Sequence, residues 1–214
     1  MKRFSLLVVL QFPFLFLTSS ALADSITINS SASETTNNSG SPTQDISPVP
    51  AWAPALGGSS WISFANAGEV PNGTGVTFTD TFNLSGPVTG ATLRVLADDT
   101  ASVIVNGTTI FAANLNGSYP TCSSVPIGCL TSTEGVFTLA QLQPYLNVGS
   151  NTISFTVYQE AGDGYGLDYS GSFTTGTATV PESGTFVLVG CGFIGLACGN
   201  VVHSLRGFRK LRLG

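Results

Sequence analysis

The long central part of this chain has almost no basic residues. Between residues 24 and 179 there is no lysine and no histidine, and Arg94 is the single arginine, against eleven Asp and Glu residues. The net charge of this stretch is therefore about −10, because the other six basic residues lie near the two ends of the chain. Binding to nucleic-acid phosphates requires clustered Lys and Arg, so nucleic acid is excluded as a partner.

The lack of histidine also excludes several kinds of active site. The sole histidine, His203, lies near the C-terminus, so the central part cannot hold a Ser-His-Asp triad, a Cys-His pair or a histidine-ligated zinc. No phosphate-binding loop of the Gly-x-x-x-x-Gly-Lys type is present either. The chemistry that remains is that of carboxylates and aromatic rings.

The N-terminus has the three parts of a secretory signal peptide. Lys2 and Arg3 precede an apolar run over residues 4–17, and an Ala-x-Ala cleavage site ends at Ala23. We therefore predict a signal peptide over residues 1–23 and a mature chain that begins at Asp24. An uncleaved N-terminal anchor is the alternative.

The C-terminal region predicts a membrane anchor. Residues 184–202 contain no charged side chain, and as a helix they reach about 28 Å, close to the hydrocarbon core of a bilayer. Positive charges beside such a segment remain cytoplasmic, which places the preceding region outside. A buried core helix is the alternative. The basic residues of the tail, 203–214, are Arg206, Arg209, Lys210 and Arg212.

A short motif precedes this predicted helix, and it consists of Val180, Pro181, Glu182 and Ser183. Together with the helix and the basic tail, it resembles the PEP-CTERM sorting signal of Gram-negative bacteria over residues 180–214. The sequence departs from the usual Pro-Glu-Pro at Ser183. The resemblance implies processing by an exosortase, export through the inner membrane, and a cell-surface or matrix location in a biofilm-forming, exopolysaccharide-producing bacterium.

The part of the chain between the signal peptide and the sorting motif, residues 24–179, is predicted to be all-β. Residues 24–60 are rich in Ser, Thr and Pro and predict an irregular lead-in with at most one strand, at residues 25–28. Short alternating segments follow, such as Ile153, Phe155 and Val157 on one face of a strand. Asn106-Gly107 predicts a hairpin turn, and residues 139–146 a helical turn capped by Thr138. We predict an antiparallel β-sandwich over residues 61–179.

Two segments carry a further resemblance: ADDTASVIVNG at residues 97–107, and the pattern of Gly149, Asn151, Ile153 and Phe155. They resemble the galactose-binding-like jelly roll in content and order. That fold includes sugar-binding modules, adhesive domains and enzyme accessory domains, so the resemblance implies a fold and does not settle the function.

Cys122 and Cys129 bracket a short loop in a compartment that permits oxidation. The spacing predicts a disulfide, which would stabilise the fold by roughly 2–4 kcal/mol. A metal site that uses other ligands as well is the alternative.

Four aspartates and two aromatic residues are the candidate ligand contacts. The aspartates have three interpretations. They could bind calcium, since hard cations prefer several carboxylate and carbonyl oxygens, or they could act as the paired carboxyl groups of a glycosidase. The third interpretation is that they are ordinary solvated turn residues. The candidate metal ligands are Asp98, Asp99, Asp163 and Asp168. Trp52 and Tyr165 are candidate platforms for a sugar ring, with burial in the core as the alternative.

These features together predict a non-catalytic surface or matrix protein that is exported, anchored through its C-terminal helix and associated with extracellular polysaccharide. A secreted carbohydrate-active enzyme with paired aspartates and a purely structural matrix component are the alternatives. Reducing-sugar release distinguishes the enzyme, and a sugar-binding screen distinguishes the scaffold.

Overall fold

The computed structural model describes residues 23–33, 35–37, 43–64, 72–115, 121–160 and 164–176. The predicted sorting motif, membrane helix and basic tail lie outside the described residues, as do nearly all of the signal peptide and Asp163. In the described ranges, no helix has both the length and the apolar character to cross a membrane.

Two antiparallel sheets make up the described part of the chain. The six strands of sheet A are β1 (Asp24–Asn29), β3 (Thr43–Asp45), β4 (Ile62–Phe64), β6 (Val88–Asp98), β9 (Gly135–Thr138) and β11 (Gly166–Thr175). The five strands of sheet B are β2 (Thr36–Asn37), β5 (Thr74–Leu84), β7 (Thr100–Val105), β8 (Thr108–Phe111) and β10 (Gly149–Gln159). Sheet A has the order β3-β4-β11-β6-β9, with β1 also paired to β11, and sheet B has the order β2-β5-β10-β7-β8.

The core lies between the two sheets, because successive side chains of a strand point to opposite faces. In β10, Ile153, Phe155 and Val157 are buried, as their alternation with Thr and Ser predicted. Rings from the two sheets stack across the core: Phe155 lies 4.5 Å from Tyr169, centroid to centroid. The antiparallel β-sandwich predicted from the sequence is confirmed.

The predicted turns are also present. Asn106 and Gly107 have φ values of 49° and 81° and connect β7 to β8, which is the left-handed conformation that the hairpin turn requires. Thr138 precedes the helix α1 (Leu139–Leu142), and its backbone N–H donates to Oε1 of Gln141 at 3.0 Å. A 3-10 turn over Gln143–Tyr145 follows.

The lead-in is part of the sandwich and not a loose extension. Strand β1 pairs with β11 over six residues, and β3 pairs with β4. The segment that follows β3 then folds back, with the indole N–H of Trp61 donating to the carbonyl of Ala53 at 3.0 Å. Its buried side chains Ala53, Leu56 and Trp61 pack with Leu96 of β6 and with Cys129 in a second, smaller core.

Candidate functional site

Two connections cross from one sheet to the other at the same end of the sandwich. Asp99 alone joins β6 in sheet A to β7 in sheet B, and residues 160–165 join β10 to β11. The strand register pairs Asp98 with Gly166 and Thr100 with Tyr158. The two crossovers therefore lie side by side, and we call this region the crossover end.

Asp98 is buried at the crossover end, with 6% of its surface exposed. Burial, followed by the charge of Asp99 and a hydrogen bond to its carboxylate, raises the pKa of Asp98 to about 8, although a hydrogen bond from Trp52 opposes the shift. At neutral pH the Asp98 carboxyl is therefore largely protonated and donates to Asp99. A neighbouring carboxylate disfavours a second negative charge, as closely spaced carboxyl groups do in general.

Asp99 holds the start of the second crossover, at Glu160. Its Oδ2 accepts the backbone N–H of Glu160 at 2.8 Å, and its own N–H donates to the carbonyl of Tyr158 at 3.1 Å. Glu160 is also buried. Arg94, the single basic residue between positions 24 and 179, forms its ion pair with Glu134.

Trp52 forms the outer wall of the crossover end. Its ring lies 4.5 Å from that of Trp61, centroid to centroid, and it remains partly exposed. Two glycines allow the close approach: a Cβ on Gly166 would lie 2.8 Å from the Trp52 ring, and one on Gly164 would lie 2.4 Å from Oδ2 of Asp98. The indole is thus fixed by ring packing and by its hydrogen bond to Asp98.

The loop beside Asp98 is closed by a disulfide between Cys122 and Cys129, as predicted. The loop is tied to both neighbours, since Ala53 N–H donates to the Cys129 carbonyl at 2.7 Å and Ala97 N–H to the Gly128 carbonyl at 3.1 Å. Both sulfurs lie within 4.8 Å of an Asp98 carboxyl oxygen. Because a metal-binding cysteine must be a thiolate, the alternative of a metal site at these cysteines is wrong.

Asp168 was predicted as a metal ligand, but the structure buries it completely. Its carboxylate oxygens accept hydrogen bonds from the lead-in: Oδ1 from Ser30 Oγ at 2.9 Å and Oδ2 from Leu56 N–H at 2.7 Å. These bonds attach the lead-in to β11, so Asp168 has a structural role. Asp163, which was predicted beside it, lies outside the described residues.

Tyr165 is not a sugar platform either. It is 2% exposed, packs edge-on against Phe64 at 5.4 Å, and its hydroxyl donates to the Val157 carbonyl at 2.6 Å. The same hydroxyl oxygen accepts the N–H of Val76 at 3.0 Å. Of the two predicted platforms, Trp52 alone is partly exposed.

Two buried acids were missed by the sequence analysis. Glu160 gave no signal, because its burial depends on the crossover loops. Asp80 did give a signal in the sequence, because it occupies the inward position between Phe78 and Phe82 in the alternating row of β5. An acid in such a row indicates a buried carboxyl.

The arrangement of Asp98 and Asp99 does not suit glycoside hydrolysis. The two catalytic carboxyl groups of a glycosidase flank the substrate at separations of about 5–9.5 Å, whereas these two are hydrogen-bonded to each other and buried. The two carboxyl groups can instead hold a proton or a cation, and Asp99 also bonds the start of the second crossover beside Trp52.

No family model and no curated protein matches this chain. Among solved structures, it is similar to an α-L-rhamnosidase from Streptomyces avermitilis complexed with L-rhamnose, with 26% identity and a TM-score of 0.44 over 61% of this chain and 12% of that one. A family 35 carbohydrate-binding module from Clostridium thermocellum matches at 13% identity and a TM-score of 0.36, over 69% and 97% of the two chains. Carbohydrate-binding module CBM36, in complex with calcium and xylotriose, matches at 11% identity and a TM-score of 0.34, over 70% and 99%.

Proposed function

We propose that this chain is a non-catalytic glycan-binding protein, and that Trp52 at the crossover end contacts the polysaccharide. The observation that carries the proposal is an indole that is fixed on one side by Trp61, Gly166 and the Asp98 carboxyl and yet stays partly exposed. A preorganised aromatic ring at a surface provides a large flat contact at low entropic cost.

The charge of the exported part restricts the glycan. With about −10 over residues 24–179, the domain repels uronate-rich and sulfated polymers. The buried acids beside Trp52 have acceptor lone pairs that suit sugar hydroxyl groups. The proposed ligand is therefore a neutral or cationic extracellular polysaccharide.

The location is proposed from the ends of the chain. The signal peptide over residues 1–23 exports the protein, and the PEP-CTERM-like segment over residues 180–214 brings it to an exosortase and to the membrane. The mature protein then lies at the cell surface or in the matrix of a Gram-negative bacterium, with the β-sandwich as a galactose-binding-like jelly roll.

Calcium is proposed as a second ligand of the crossover end, at Asp98 and Asp99. Two adjacent buried carboxyl groups and the raised pKa of Asp98 support it, and a divalent cation would take the place of the Asp98 proton. Calcium at a hundredfold excess over its Kd would raise stability by about 2.7 kcal/mol. The check is a pair of melting curves at pH 8, in millimolar calcium and in chelator. Equal melting temperatures in calcium and in chelator would mean that calcium does not bind at Asp98 and Asp99.

Binding and catalysis are separated by one experiment on the full chain. The protein is incubated with insoluble neutral, cationic and acidic polysaccharides, the bound fraction is measured by sedimentation, and released reducing ends are measured in the supernatant. The proposal predicts retention on a neutral or cationic polymer without an increase in reducing ends.

Retention accompanied by reducing-end release would favour the enzyme, whose two carboxyl groups would then have to lie elsewhere than at Asp98 and Asp99. No retention on any polymer would favour the purely structural matrix component.

A further inference from the structure

A second concave site lies away from the crossover end, between the margins of the two sheets. Strand β1 of sheet A and strand β5 of sheet B border a half-open cleft of about 240 Å³. Its lining residues are Thr27, Ile28, Asn29, Asp80, Thr81 and Phe82. Pockets for drug-sized ligands measure about 300–1,000 Å³, so this cleft suits one small ring and not an oligosaccharide.

Asp80 is the charged group of the cleft. Its Oδ2 accepts the Tyr169 hydroxyl at 3.0 Å and its Oδ1 accepts the N–H of Thr81 at 2.7 Å. Each carboxylate oxygen has two acceptor positions, so one position on each oxygen remains for a ligand. Because the Tyr169 hydroxyl donates to Asp80, the Thr35 hydroxyl, 2.7 Å away, is the donor to the Tyr169 oxygen.

The apolar neighbours of Asp80 in β5 do not require an acid at position 80, although its carboxyl accepts a hydrogen bond from the hydroxyl of buried Tyr169. Its neighbours in the inward row of β5 are Val76, Phe78, Phe82 and Leu84, all buried, and an apolar residue would continue that row. Burial instead raises the pKa of Asp80, which the hydrogen bonds from Tyr169 and Thr81 only partly oppose. A carboxyl that is kept at such a cost beside a cleft indicates a ligand contact.

The rest of the cleft is neutral and rich in hydrogen-bonding groups. Oδ1 of Asn29 accepts the Ser170 hydroxyl at 2.8 Å, so the donors of this side chain lie on its amide nitrogen. Thr27 and Thr81 are exposed and bring hydroxyl groups, while Ile28 and Phe82 bring apolar surface. Polar groups of this kind match the hydroxyl groups of a sugar ring, and Ile28 and Phe82 add a small apolar surface for its C–H face.

We propose that the cleft between β1 and β5 binds a single neutral sugar unit, with Asp80 accepting from its hydroxyl groups. This inference rests on the proposed glycan association but concerns a site separate from Trp52. A uronate is excluded by the charge of Asp80, and a longer glycan by the size of the cleft. A free monosaccharide and the terminal sugar of a polymer present the same hydroxyl groups to the cleft, so both are ligands of the proposed class.

The test is saturation-transfer NMR on the full chain, with neutral methyl hexosides and with glucuronate at millimolar concentrations. We expect binding of at least one neutral hexoside and at least tenfold weaker binding of glucuronate. Asp80→Asn should weaken neutral binding at least tenfold, whereas Asp45→Asn, which removes an exposed acid outside the cleft, should not change it. Thr81→Tyr should block the cleft, and because Thr81 is exposed this variant serves even if Asp80→Asn does not fold.

Trp52→Ala separates this inference from the proposed function. It should abolish polysaccharide retention and leave hexoside binding unchanged. Hexoside binding that survives both Asp80→Asn and Thr81→Tyr would overturn the inference, as would its loss in Trp52→Ala or the absence of any neutral binding. Failure of polysaccharide retention alone would contradict the role of Trp52 and not that of the cleft.

Discussion

Asp98 makes folding stability depend on pH. Its pKa is about 8 in the folded protein and near its ordinary value of 3.8 in the unfolded chain, so between these pH values the folded state holds a proton that the unfolded state releases. Stability therefore falls as the pH rises from about 4 to about 8. The raised pKa of Asp80 acts in the same direction.

We therefore predict a lower melting temperature at pH 8 than at pH 5, measured by circular dichroism in chelator. Asp98→Asn, which cannot lose a proton, should show a clearly smaller decrease over the same interval. Asp45→Asn serves as the control and should retain the slope of the parent. An Asp98→Asn slope equal to that of the parent would contradict the raised pKa of Asp98.

Single residues also show what the sequence could not predict. The acidic pair was found because Asp98 and Asp99 are adjacent in the chain. The role of Asp168 was not, because its partners Leu56 and Ser30 are 112 and 138 positions away. The burial of Tyr165 similarly depends on contacts with Val76 and Phe64.

Strands and turns were predictable where the signal is local. In β5 and β10 an alternating pattern specifies both the strand and its inward face, and Asn106-Gly107 specifies its own turn. The lead-in was harder to predict, because its Ser- and Pro-rich sequence has little periodicity. It becomes ordered by packing Trp61 and Leu56 on the outer face of sheet A.

The disulfide loop is the element that most directly shapes the candidate site. Its backbone bonds to Ala53 and Ala97 place it against Asp98, so opening it would admit water to that carboxyl. The entropy model for so short a loop gives about 2.5 kcal/mol of stabilisation.

We predict that Cys122→Ser with Cys129→Ser lowers the free energy of unfolding by about 2–3 kcal/mol, measured by urea denaturation, while the cooperative transition remains. Adding a reductant to the parent should reproduce the loss and should leave the double variant unchanged. Equal stability of parent and variant would mean that the loop is held by its backbone hydrogen bonds alone.

Over the whole chain, charge is divided between the ends and the centre. Six of the seven basic residues lie in the two terminal regions, and eleven of the twelve acids lie between residues 24 and 179. This division is what the export proposal requires, because positive flanks remain cytoplasmic and the acidic domain crosses the membrane.

We predict that a reporter active only in the cytoplasm is active when fused after Gly214 of the unprocessed chain and silent when fused after Thr179. Replacing Arg206, Arg209, Lys210 and Arg212 together by Asn should reduce the activity of the first fusion. Activity of the reporter after Thr179 would contradict the proposed orientation.

The central claim is that an ordered, partly exposed Trp52 binds a neutral or cationic polysaccharide, and its most direct test is the dissociation constant for the polymer that retains the parent. We predict at least a tenfold increase in Kd for Trp52→Ala, with the melting curve used to verify folding. Tyr145→Ala, which removes another exposed aromatic ring, should leave Kd unchanged. An unchanged Kd in folded Trp52→Ala, or an equal increase in Tyr145→Ala, would contradict the account.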